Sequence, residues 1–293
     1  MLRKAIFLLT FFLITICNLK AQSSEIASEW KWFKALEERI SNVNAEELLE
    51  NKQEELQSAK DINRDDIESK VSKELAFIHI HKTNNLEKAM ALLIRALDID
   101  EQTENETALI FTYIGFYQLF EQVEDYYYGK EFLEKASNLL RDYDLPPLRL
   151  YINQNLGYTY HATGETGKSI EQHQNILQYA KAERIPKIEA KANTDLAEIY
   201  ANENVYDKAL IHFKSALEIY RRINSPLKEA ECLNAIGDIY MMQDNLNKAY
   251  DNYVVALDVL KDVKNAESQF ARLYNSVGRY YLKENNSERA LAN

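Results

Sequence analysis

Glycine and proline are scarce: the 293 residues hold seven Gly and four Pro. That is too few for the many tight turns of a sandwich or barrel, and no Gly-rich loop is present to cradle a phosphate. Cysteine is nearly missing as well, with Cys17 and Cys232 alone, which excludes a disulfide framework and any cysteine-based zinc site. Basic charge is outnumbered, 35 Lys and Arg against 46 Asp and Glu, and such a surface repels nucleic acid and anionic lipid. The one long apolar run, Ala5 to Cys17, is too short to span a bilayer comfortably. What is left is 46% hydrophobic and 28% charged, the composition of a folded protein that must be mainly helical.

The first residues differ from the rest. Arg3 and Lys4 precede the apolar run, and Asn18, Leu19 and Lys20 lead to a small Ala21 before Gln22. This is the layout of a secretory signal cut after Ala21. Residues 1–21 are therefore expected to be a signal peptide, and the protein to be exported to a periplasm or the cell exterior. A short retained anchor is the alternative, while bulky Ile16 argues against lipoprotein processing at Cys17. Removing the segment takes away three basic residues and no acid, so the remainder is more acidic still. Cys232, among Ala230, Leu233 and Ile236, reads as a small packed residue rather than a reactive thiol.

The rare residues carry a period. Pro146, Pro186 and Pro226 are spaced by 40 and 40, and Gly157, Ala197, Gly237 and Gly278 by 40, 40 and 41. A period of this length means stacked supersecondary units. With units counted from residues 70, 110, 150, 190, 230 and 271, the seventh position holds Ala76, Phe116, Leu156, Leu196, Ile236 and Val277. The eleventh holds Ile80, Phe120, Tyr160, Tyr200, Tyr240 and Tyr281. Four residues apart, they share one helix face. A second helix follows, with Ala89, Gly129, Ser169, Ala209, Ala249 and Ala290 at the twentieth position, small enough for a close helix crossing. Leu93, Leu133, His173, Phe213 and Tyr253 come next, then Ala96, Ala136, Ile176, Ala216 and Ala256, an apolar stripe. Between the two helices lie Asn84, Gly164, Asn204, Asp244 and Asn285, residues that tolerate a left-handed turn. Ser225 and Pro226 supply an N-cap and a first-turn proline.

The recurring order, as in Leu196-Ala197, Tyr200, Ala209, Phe213 and Ala216, resembles the tetratricopeptide repeat, with a period longer than the usual 34 residues. The resemblance implies an all-α, right-handed superhelical solenoid of antiparallel helix pairs, with residues 70–293 forming six units of which the last is incomplete. Phe77, Tyr117, His173 and Ile176 depart from the pattern. Residues 22–69 read as two further helices, one carrying Trp30, Phe33, Leu36 and Ile40 and the other Leu48, Leu49 and Leu56, turning at Asn44. They are expected to cap the stack as a worn repeat. The chain stops after Ala290 and Leu291 have opened a second helix, so the reading frame is expected to continue past Asn293.

Catalytic constellations are poor. His79 and His81 point about 200° apart on a helix and cannot chelate one metal, and no carboxylate pair, nucleophile motif or Walker sequence stands out. No enzyme, metal or cofactor is expected. In the family this chain resembles, first helices line a concave peptide groove, which implies candidate residues at the second, fifth, ninth and twelfth positions. They are Tyr151, Gln154, Tyr158 and His161 in the third unit and Lys191, Thr194, Glu198 and Ala201 in the fourth. The fifth offers Glu231, Asn234, Asp238 and Met241, and the sixth Arg272, Asn275, Arg279 and Leu282. Amides such as Gln154, Asn234 and Asn275 both donate to and accept from a peptide backbone, and Tyr151 and Tyr158 are anchors of the type found at interface hot spots. The expected partner is a protein or peptide, with no nucleic acid and no membrane. The aromatic cluster Phe111, Tyr113, Phe116, Tyr117, Phe120, Tyr126, Tyr127, Tyr128 and Phe132 is read as packing in an irregular unit.

Overall fold

A computed structural model describes residues 23–284, which form thirteen α-helices with no strand among them. The expected signal peptide, Asn285, Ala290 and Leu291 lie outside the described residues. No described helix is long and apolar enough to cross a membrane. The chain divides into two compact units at Glu165 and Thr166. The first holds α1 (residues 23–42), α2 (Ala45–Asp61), α3 (Asp65–Ile78), α4 (Leu86–Gln102), α5 (Glu106–Gln122), α6 (Tyr126–Leu139) and α7 (Pro146–Ala162). The second holds α8 (Thr166–Ala182), α9 (Pro186–Asn202), α10 (Tyr206–Arg222), α11 (Pro226–Met242), α12 (Leu246–Leu260) and α13 (Glu267–Lys283). Within each unit consecutive helices from α2 onward pack on one another, and first helices also touch, α3 on α5 and α11 on α13.

Helix boundaries fall where the turn chemistry puts them. Left-handed residues recur at 20-residue rather than 40-residue spacing, with a gap at 144: Asn84, Glu104, Glu124, Gly164, Arg184, Asn204, Asn224 and Asp244 all have positive φ. At Glu104 the next amide, Asn105 N–H, reaches the Asp100 carbonyl at 3.0 Å while Glu104 N–H reaches Glu101 at 3.2 Å, which satisfies the orphan carbonyls of α4. The following helix then starts in one of two ways. Asn85, Asn105, Asp125 and Asn245 cap α4, α5, α6 and α12 through their side chains, whereas α7, α9 and α11 begin with Pro146, Pro186 and Pro226. Ser225 makes no side-chain cap, contrary to the sequence expectation. A longer connection at 261–266 holds the one extra residue that turns the last spacing from 40 into 41.

The packing stripe lies inside as its spacing predicts. Ala76, Leu196 and Ile236 are buried on first helices, and Ala89, Ala209 and Ala249 are fully buried where second helices cross them. In α13 Tyr280, not Tyr281, is the buried tyrosine, and Val277 is covered. The aromatic cluster divides by direction. Phe116, Phe120 and Phe132 stack between α5 and α6, with Phe116 and Phe132 centroids 4.5 Å apart, while Tyr127 and Tyr128 face solvent. Asn44 turns the chain between α1 and α2 and accepts from Glu46 N–H as the cap of α2. α2 packs on α3, but α1 takes a different place, described next.

Candidate functional site

In residues 23–165 the face made by the first helices α3, α5 and α7 is occupied by α1. The α1 stripe Ile26, Phe33, Leu36 and Ile40 is buried in one core with Phe77, Phe111, Ile114 and Tyr117. Phe33 is the centre, with ring centroids 5.3 Å from Phe77, 5.7 Å from Phe111 and 5.9 Å from Tyr151, one residue from each first helix. Trp30 packs on Tyr151 at 5.7 Å, and Trp32 donates its indole N–H to Glu74 at 2.5 Å. Polar contacts fix the ends: Lys70 pairs with Glu29 at 3.2 Å and Thr107 donates to Glu25 at 3.1 Å. At the other end the Lys82 ammonium lies 3.4 Å from the Ser41 carbonyl. Beneath α1 a polar ladder runs from the π-helical turn His79–Thr83 at the end of α3 across α5 to α7. His81 Nε2 bonds Gln118 Oε1 at 2.9 Å, and the Gln118 amide donates to the Tyr151 hydroxyl at 3.0 Å.

Tyr151 lies on this face with its ring covered by the chain's own helix α1, and burial raises its phenol well above the ordinary range. Gln154 and His161 are half-buried on α7, and Tyr158 is exposed. Charges buried behind this face escape sequence reasoning. Lys73 and Asp100 pair at 3.0 Å with both side chains nearly inaccessible, and Thr112 donates to the same carboxylate at 2.6 Å. Burial lowers the Lys73 pKa against the pull of Asp100. Unpaired, either charge would be prohibitive to bury, yet sequence periodicity treats both as surface.

In residues 166–284 the corresponding face of α9, α11 and α13 carries polar side chains. Lys191 pairs with Asp195 one turn on. Glu198 is exposed, but the protein around it strips enough water to raise its pKa, with Asp195 adding to the shift and Lys191 and Arg272 opposing it. Glu231 is held by Lys228 at 2.7 Å and by the Gln269 amide at 3.1 Å. Asp238 accepts from Tyr253 at 2.8 Å and pairs with Arg279 at 3.0 Å, so these two candidates satisfy each other. Arg272 and Asn275 are exposed. Asn234 lines a small pocket with Glu231, Gln269 and Arg272 over Ala230, Leu260 and Leu273, and its buried amide oxygen has no hydrogen-bond partner. Thr194 and Ala201 are half-buried and Leu282 is exposed. Met241, expected on this face, is buried against the Tyr253 hydroxyl instead. Cys232 is buried, and desolvation pushes its thiol up to about 12, which leaves it inert.

The tetratricopeptide repeat family model matches residues 188–262. Among curated proteins none matches the sequence. Solved structures with a similar fold include the signal-transduction STAND ATPase with a tetratricopeptide repeat sensor from Pyrococcus horikoshii, at 18% identity and a TM-score of 0.66 over 93% of this chain. This chain spans 40% of that protein. A Rap protein complexed with competence and sporulation factor aligns at 15% identity and a TM-score of 0.58, covering 92% of this chain and 74% of its own. YrrB, a tetratricopeptide repeat protein with an unusual peptide-binding site, aligns at 22% identity and a TM-score of 0.50, covering 73% and 96%. Small residues at the helix crossings and the match of α9 to α12 to the repeat model show tetratricopeptide-type helix pairs in this part of the chain, and the solved neighbours share its all-helical, tetratricopeptide-like fold.

Proposed function

We propose that the chain is a non-enzymatic scaffold outside the cytoplasm that binds an extended segment of a partner protein along α9, α11 and α13. The observation that carries this reading is the Asn234 amide oxygen, buried without a partner beside Glu231 and Arg272. A buried acceptor left unsatisfied is costly, and a peptide N–H supplies what it lacks. Glu198 and Glu231 favour basic side chains at one part of the ligand, and Arg272 favours an acidic one. The Rap protein complexed with competence and sporulation factor, and YrrB with its unusual peptide-binding site, support the same class of partner. Capture from an envelope extract by the intact chain, compared with Asn234→Ala and Glu198→Ala, tests the site. Both variants should lose capture, and retention by both would move the site elsewhere.

Export rests on the layout of residues 1–21, and mass spectrometry of protein recovered from cells should find a chain beginning at Gln22. A second reading, the exported sensor portion of a longer signalling protein with a kinase or DNA-binding output, draws on the similarity to a repeat sensor within a larger signal-transduction protein. An open frame past codon 293 in the coding DNA would favour it, and a stop codon the free-standing scaffold.

A further inference from the structure

We propose that the face of α3, α5 and α7 is a binding site for an amphipathic helix, which α1 occupies in cis and which a partner helix of the same pattern takes by displacing α1. The site uses none of the residues of α9, α11 and α13, so its test does not bear on the reading above.

The groove is built without its occupant. Its polar ladder, His81 to Gln118 to Tyr151, joins the π-helical turn His79–Thr83 that continues α3 to α5 and α7, and Tyr117 reaches Asn155 at 3.2 Å in the same way. None of these bonds uses an α1 atom. The first-helix stack also forms in residues 166–284 with polar side chains on that face. Where α5 presents Phe111 and Ile114, α9 has Lys191 and Thr194 and α11 has Glu231 and Asn234. An apolar floor at these positions is therefore a property of the groove rather than a requirement of the repeat. It serves recognition of an apolar helix face, read through anchors about one turn apart.

α1 also fills the groove incompletely. A pocket opens at its N-terminal end among Glu25, Glu29, Lys70 and Thr107, and another along its C-terminal half among Leu36, Ile40, Phe77, His81 and Gln118. Its outer face, with Lys31, Lys34 and Glu38, is exposed, so α1 is a single layer laid on the stack. The two-residue link at 43–44 keeps α1 at a high effective concentration, which a partner must outcompete. The occupant chemistry follows from α1 itself. A partner helix needs an aliphatic residue, two aromatics and two further aliphatics at the spacing of Ile26, Trp30, Phe33, Leu36 and Ile40, with carboxylates near its start to meet Lys70 and Thr107.

A fluorescently labelled peptide of residues 23–42 is titrated into the intact chain and into the Trp30→Ala, Phe33→Ala double variant of the full chain, with amide exchange followed in α5. The double variant should bind the peptide at least tenfold more tightly than the intact chain while α5 keeps its protection. A peptide carrying the same two alanines should not bind. In the intact chain α1 amides should exchange faster than those of α5. The proposal fails if the variant keeps α5 protection yet binds no better, or if α5 loses protection together with α1, since α1 would then be part of the stack's core.

Discussion

Gly237 shows how closely the helices approach at single residues. A Cβ built there would stand 2.5 Å from the Tyr253 ring, which is wholly buried and tied by its hydroxyl to Asp238. Alanine would gain about 1 kcal/mol of helix propensity, but a ring with no room to retreat makes overpacking the larger effect. Gly237→Ala should therefore destabilise by roughly 1 to 3 kcal/mol in denaturant melts. Glu198 gives a pH-dependent counterpart. Its folded pKa is raised by the water that the surrounding protein strips from it and by Asp195, so folding favours the protonated carboxyl and loses that advantage as pH rises through the raised pKa. Glu198→Gln should be more stable than the parent at pH 7, with the gap closing as pH falls into the carboxylate range, a trend that thermal melts at pH 7 and pH 4 would read. Residue roles of this kind were partly legible. The small residue at position 237 shows in the period, while the pairing of Asp238 with Arg279 does not, because spacing marks a face without saying which charges on it meet.

Helices and turns were the most legible scale. The 40-residue period placed Asn84, Gly164, Asn204 and Asp244 in left-handed turns, and all four adopt them. Glu124 of the same series and the alternate turns at Glu104 and Arg184 carry no such residue, although the alternate turn at Asn224 does, and at those three the hydrogen-bonded end of the preceding helix imposes the conformation. A long side chain in that region is strained. Arg184→Gly should relieve the strain and stabilise by about 0.5 to 1 kcal/mol, after allowing for glycine's greater unfolded entropy. Ala209→Leu, at a fully buried crossing, should cost roughly 1 to 3 kcal/mol by the same melts. What the elements concealed was the address of α1. Hydrophobic periodicity told which side of it is buried, and a terminal cap satisfies that pattern as well as a groove does. Only Phe77, Phe111 and Tyr151 together, three large rings on successive first helices, could have signalled an occupant.

At the scale of the chain, a repeat protein is stabilised by neighbours rather than by one global core. Damage should accordingly stay local. Gly237→Ala is expected to speed amide exchange in α11 and α12 while leaving α3 and α5 unchanged, and a uniform loss of protection would contradict that. The groove-face positions differ between the two compact units as well: Phe111 and Ile114 on α5 of the first, Lys191, Thr194, Glu231 and Asn234 on α9 and α11 of the second. One feature of the first unit has an optical meaning. Trp30 and Trp32 are the two tryptophans of the whole sequence, and both belong to α1, one against Tyr151 and the other against Glu74 and Phe111. Indole emission from this 293-residue protein therefore originates in a single helix, and its colour records whether that helix is seated or in water, without any label.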